Sequence, residues 1–124
     1  MKRDKALMLE ILIRIELSEK NHLYIDREME PGMIDTLYFH VTLLGEAGYV
    51  TYNRVFADDE LKVFQARLTN KGYDYLEDLV ANQEMNSKLS EAKNLITKTT
   101  NWTMTNVISP LLLEYTKTLI FPSK

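Results

Sequence analysis

Two runs of alternating residues, Tyr49 to Val55 and Leu61 to Leu68, constrain this chain more than any other feature. Both are rich in β-branched and aromatic types. In the second, Phe64, Ala66 and Leu68 share one face while Gln65 and Arg67 take the other. Phe56, Ala57, Asp58, Asp59 and Glu60 lie between the runs, a polar-tipped connection of hairpin length.

The segments around this hairpin read as helices. Asp4 is an N-cap, and Leu7, Met8, Ile11, Leu12 and Ile15 after it form an apolar face. Leu9, Ile13 and Leu17 make a second stripe, so the helix should be covered on two sides, one of them by another subunit. Residues 18–32 are polar and turn-rich, with Pro31-Gly32 as punctuation and His22–Ile25 as a short strand. A helix is expected over Met33–Ala47 with Ile34, Leu37, Tyr38, Val41 and Leu44 inward, ended by Gly48 at C′. Thr69 should cap another helix to Ala81, burying Tyr73, Leu76, Leu79 and Val80. Two amphipathic helices follow, one built on Met85, Leu89, Ala92, Leu95 and Ile96. The other is built on Met104, Val107, Ile108, Leu111, Leu112, Tyr115 and Leu119, with Pro110 kinking or restarting it.

Helix, short strand, helix, hairpin, helix is the order of a winged helix-turn-helix. The expected fold is therefore mainly α with a small β-hairpin. Residues 1–81 form the winged-helix domain, and residues 82–124 are a helical extension that packs on it or forms a dimer interface. At 124 residues the chain is one ordinary domain with no cysteine, which excludes disulfides, thiolate metal sites and cysteine nucleophiles. The longest uncharged run, Thr99 to Leu113, has 15 residues, short of the roughly 20 that a bilayer span needs. A cytoplasmic protein without a membrane segment is expected.

Three blocks carry a resemblance. They are the opening Met1-Lys2-Arg3-Asp4, the stretch Tyr38-Phe39-His40-Val41-Thr42-Leu43-Leu44-Gly45-Glu46-Ala47-Gly48-Tyr49-Val50, and Arg67-Leu68-Thr69-Asn70-Lys71-Gly72-Tyr73-Asp74-Tyr75-Leu76. Over about residues 1–80 the chain resembles the uncharacterised bacterial and phage proteins called domain-of-unknown-function family 2513. The resemblance implies a winged-helix fold and a phage or prophage setting. It brings no catalytic residues with it.

A winged helix invites DNA binding, with the Met33–Ala47 helix in the major groove and the hairpin as wing. The charge argues against it. Net charge is −3, and residues 1–81 carry ten basic against fifteen acidic side chains. No Lys or Arg lies between Met33 and Gly48, which include Asp35 and Glu46, and the wing tip holds Asp58, Asp59 and Glu60. Phosphate contacts supply most of the affinity of such binders. If DNA is bound, the contacts should come from Lys2, Arg3, Lys5, Arg54, Lys62, Arg67 and Lys71, with Thr36, Tyr38, His40 and Thr42 at the bases.

Catalysis and cofactors find little support. His40 has no carboxylate at helical spacing, its neighbours being Thr36, Leu37, Leu43 and Leu44. Asp26, Glu28 and Glu30 alternate as in a calcium loop, but the twelfth position is Leu37 where that loop needs a glutamate. No catalytic residue, metal or cofactor is expected, and no enzyme activity. Trp102, Leu113 and Ile120 fall within about 20° of one another, opposite the main stripe of the last helix. With Leu9, Ile13 and Leu17 they form the expected homodimer interface. The leading expectation is a non-enzymatic regulator working through protein contacts with itself and an unknown partner; the alternative is a dimeric DNA-binding transcriptional regulator.

Overall fold

The computed structural model describes residues 2–81 and 83–98. In order they form α1 (Lys5–Leu17), β1 (His22–Asp26), α2 (Ile34–Glu46), β2 (Val50–Ala57), β3 (Glu60–Leu68), α3 (Asn70–Ala81) and α4 (Gln83–Lys98). The architecture is mixed α/β: four helices among the described residues and one three-stranded antiparallel sheet, ordered β1-β3-β2. The hairpin is thus larger than its sequence pattern suggests. β1 pairs along β3, with Leu23 opposite Ala66 and Ile25 opposite Phe64.

Local chemistry sets the element ends. The Asp4 carboxylate accepts the Leu7 N–H and opens α1. α2 closes in a Schellman turn: the Gly48 N–H bonds the Gly45 carbonyl and the Tyr49 N–H bonds the Leu44 carbonyl. Gly48 has φ +89°, a left-handed conformation that costs glycine little. Thr69 then ties this turn to α3. Its hydroxyl donates to the Gly48 carbonyl and accepts the Gly72 N–H.

α1 is the centre of the core. Ala6 through Ile13 and Ile15 are buried, because α2, α3, β1 and β3 all pack against this one helix. The second stripe on α1 is therefore covered from within: Leu9 and Ile13 have no exposed surface, and only Leu17, at 43% exposure, stays open. α4 joins the same core through Leu89, Ala92 and Ile96, and Lys93 Nζ bonds the Glu16 carboxylate of α1 at 2.8 Å. This part of the extension packs on the rest. One inward residue is misplaced by the sequence pattern, since Val80 is 42% exposed at the end of α3.

The second half of β3 alternates as its sequence demands. Phe64, Ala66 and Leu68 of β3 are buried against the helices, and Gln65 and Arg67 lie on the outer face. Phe56 belongs to β2 rather than to the loop, opposite Leu61, so the turn shrinks to Asp58 and Asp59.

Candidate functional site

The surface formed by α2 and the hairpin is where a winged helix would meet a ligand. α2 turns Ile34, Leu37, His40, Val41 and Leu44 inward. Asp35 and Glu46 are exposed, and Thr36, Phe39, Thr42 and Leu43 are half-buried between them. The outward face is thus acidic and partly apolar.

The four α2 residues expected at the bases do not converge there. His40 is 1% exposed and both ring nitrogens are occupied. Nε2 accepts the Asp4 backbone N–H at 2.9 Å, and Nδ1 donates to the Thr36 carbonyl at 2.7 Å. An amide N–H only donates and a carbonyl only accepts, which fixes the Nδ1–H tautomer. Burial withdraws His40 from any duplex. Tyr38 leans instead on the hairpin, edge-on to Tyr52 and Phe56, and its hydroxyl accepts from Arg54 Nη1 at 2.8 Å. The Thr42 hydroxyl donates to the Phe39 carbonyl, while Thr36 is half-buried.

The cations are scattered. Arg54 is exposed on the α2 side of the sheet, with its guanidinium 5.8 Å from the Phe56 ring centroid. Arg67, opposite Thr51, is exposed on the outer face of the sheet. Lys62 bonds Glu60 at 2.8 Å. Lys71 donates to the Ala47 carbonyl at 2.7 Å and lies over the Tyr49 ring, so it closes the C-terminal end of α2. At the N-terminus Lys2 and Arg3 are exposed and Lys5 is half-buried. The Asp4–His40 bond carries this cluster to the flank of α2, a juxtaposition across 36 residues.

Arg27 organises the acidic side of the surface, a role that its position in the sequence does not mark. Its Nη2 bonds the Asp35 carboxylate at 2.8 Å, its Nε donates to the Leu61 carbonyl at 2.7 Å, and Glu60 lies 3.3 Å away. One guanidinium therefore ties the start of α2 to the base of the hairpin turn. The bond to Asp35 raises the Arg27 pKa, and the bond to Lys62, followed by the charge of Arg27, lowers that of Glu60. The only available signal was a single cation inside the acidic stretch Asp26–Glu30. That stretch is a turn: Asp26 Oδ1 accepts the Glu28 N–H and its carbonyl accepts those of Met29 and Glu30.

Leu9 and Ile13 cannot serve a second subunit, because they lie wholly inside this chain's own core. Leu17 remains at the surface, and Trp102, Leu113 and Ile120 lie outside the described residues. Among the described residues no three His, Asp or Glu side chains gather as a metal site, and no helix is long and apolar enough to cross a membrane. Compared with known proteins, the chain matches no family model, no curated protein and no solved structure.

Proposed function

We propose that this chain is a non-enzymatic winged-helix regulatory module that acts through protein contacts, with α2 in the recognition-helix slot and β2–β3 as the wing. One observation carries the reading. The exposed charges of α2 and of the wing tip are Asp35, Glu46, Asp58, Asp59 and Glu60, with no Lys or Arg among them. Four cations border this surface and each is engaged within the chain: Arg27 with Asp35, Arg54 with the Tyr38 hydroxyl, Lys62 with Glu60 and Lys71 with the end of α2. Such a face repels phosphate and suits a protein partner. The phage setting rests on the resemblance of the three sequence blocks.

Binding to a mixed-sequence DNA duplex, titrated at low and moderate salt, tests this. The expected result is affinity weaker than about 10⁻⁴ M, the weak end of ordinary non-specific binding. A second reading is favoured by the placement of Lys2, Arg3 and Lys5 beside α2: a DNA-binding regulator gripping the backbone with that cluster and the hairpin base. Affinity that falls steeply with salt, and weakens in Arg54→Ala or Lys62→Ala, would establish the second reading and overturn the first.

A further inference from the structure

We infer that two copies of this chain pair through the outer edge of β2, antiparallel, with Val55 opposite the second copy's Val55. This rests on the protein-contact reading only in taking a protein as partner. β3 is the middle strand, so one side of the β2 backbone has no strand beside it among the described residues. An edge of this kind offers a row of N–H and C=O groups to another strand.

Proteins usually blunt such edges with proline, lysine, short strands or bulges. Of these devices β2 has only a bulge in its ladder with β3, at Val55/Phe56, and beside it one charged side chain, Arg54, which bonds the Tyr38 hydroxyl. It runs for eight residues, Val50–Ala57, with neither proline nor lysine. The one irregularity in its pairing places the extra residue, Lys62, on β3. Asn53 to Ala57 are all exposed, including Val55 at 57% and Phe56 at 54%. Val50 is buried and Tyr52 half-buried, so the open stretch is centred on Val55.

Charge selects a second copy in the antiparallel sense. A parallel pair would set the acidic tips Asp58-Asp59 side by side. An antiparallel pair centred on Val55 puts each Asp58 level with the other copy's Tyr52, and the two Asp58 residues about 20 Å apart along the strands. Each acidic tip then points toward the end of the partner's sheet that carries Arg67, opposite Thr51. Arg54 comes to lie across from the second copy's Phe56 on the same sheet face. It already lies beside its own Phe56 ring, so this repeats a contact the chain makes within itself. A two-fold arrangement makes every such contact twice.

The absence of cysteine makes the register directly readable. Light scattering on the full chain should give twice the 14.5 kDa chain mass. Val55→Asp should return it to the single mass with the parent's far-ultraviolet circular-dichroism spectrum at low temperature, since the side chain is exposed in the single chain. Under mild oxidation Val55→Cys should cross-link. Asn53→Cys and Ala57→Cys should not, because like cysteines there stand about 13 Å apart. A single-chain mass in the unmodified protein, a dimer that survives Val55→Asp, or equal cross-linking at all three positions would each overturn the assignment. None of these results depends on DNA, so a single-chain mass without DNA binding removes the strand pairing and leaves the protein-contact reading in place.

Discussion

The backbone N–H of Asp4 donates to Nε2 of His40 at 2.9 Å, which joins the start of α1 to the middle of α2. The same Asp4 caps α1 through its carboxylate, so one residue begins a helix and fixes it to its neighbour. Nδ1 of the ring is held by the Thr36 carbonyl. His40 is thus a buried polar link between α1 and α2.

His40→Ala should lower stability by about 2 to 3 kcal/mol, since it leaves a cavity and strips the Asp4 N–H of its partner. His40→Gln, which keeps an acceptor, should recover part of the loss. Urea denaturation midpoints at fixed m-value check both. A variant as stable as the parent would show that the ring nitrogens contribute nothing.

Gly72 makes a tighter demand. A Cβ built there would stand 2.3 Å from the Tyr49 carbonyl oxygen, which is backbone and is fixed by the Schellman turn behind it. Gly72→Ala should therefore destabilise the protein by about 1 to 3 kcal/mol, against the usual gain from replacing a helical glycine by alanine. Thermal melting gives the sign directly. A rise in the midpoint would mean that α3 moves away from Tyr49 at little cost.

How much of this was legible in sequence follows from the range of each interaction. Asp4 as a cap, Gly48 past the end of α2 and Thr69 before α3 are local signals, and all three hold in the structure. The wide apolar arc of α1 was also plain, but not its cover: Leu9 and Ile13 meet this chain's own elements rather than a second subunit. β1 was visible as a possible strand, whereas its pairing with β3 required folding the chain across about 40 residues. His40 and Arg27 were opaque for the same reason. The partners that define them, Asp4 for one and Glu60 and Leu61 for the other, are remote in sequence.

The hairpin turn carries strain that two substitutions should relieve. Asp58 and Asp59 have φ of 55° and 59°, so both central residues of this two-residue turn are left-handed. Aspartate tolerates that conformation less well than asparagine or glycine. Asp58→Asn with Asp59→Gly should stabilise the protein by about 0.5 to 1 kcal/mol. Because the pair also removes two negative charges, the midpoint shift should be measured at low and high salt. A gain confined to low salt would assign the effect to charge and not to backbone.

Glu60 gives the fold a definite acid sensitivity. Its folded pKa lies below the ordinary value of 4.5, first because Lys62 hydrogen-bonds the carboxylate and then through the charge of Arg27. A depressed folded pKa means that the unfolded chain binds the proton more readily. The stabilisation is fully present above the unfolded value and is lost as pH falls through the lower folded one. Glu60 is exposed, which keeps the effect small and sensitive to salt. Glu60→Gln should melt below the parent near neutral pH, and the difference should close as pH drops below 4.5. Melting curves from pH 7 to pH 3 in low salt read this out. A gap that stayed constant over that range would mean that the Arg27–Glu60–Lys62 contacts do not tie the hairpin to the fold through charge.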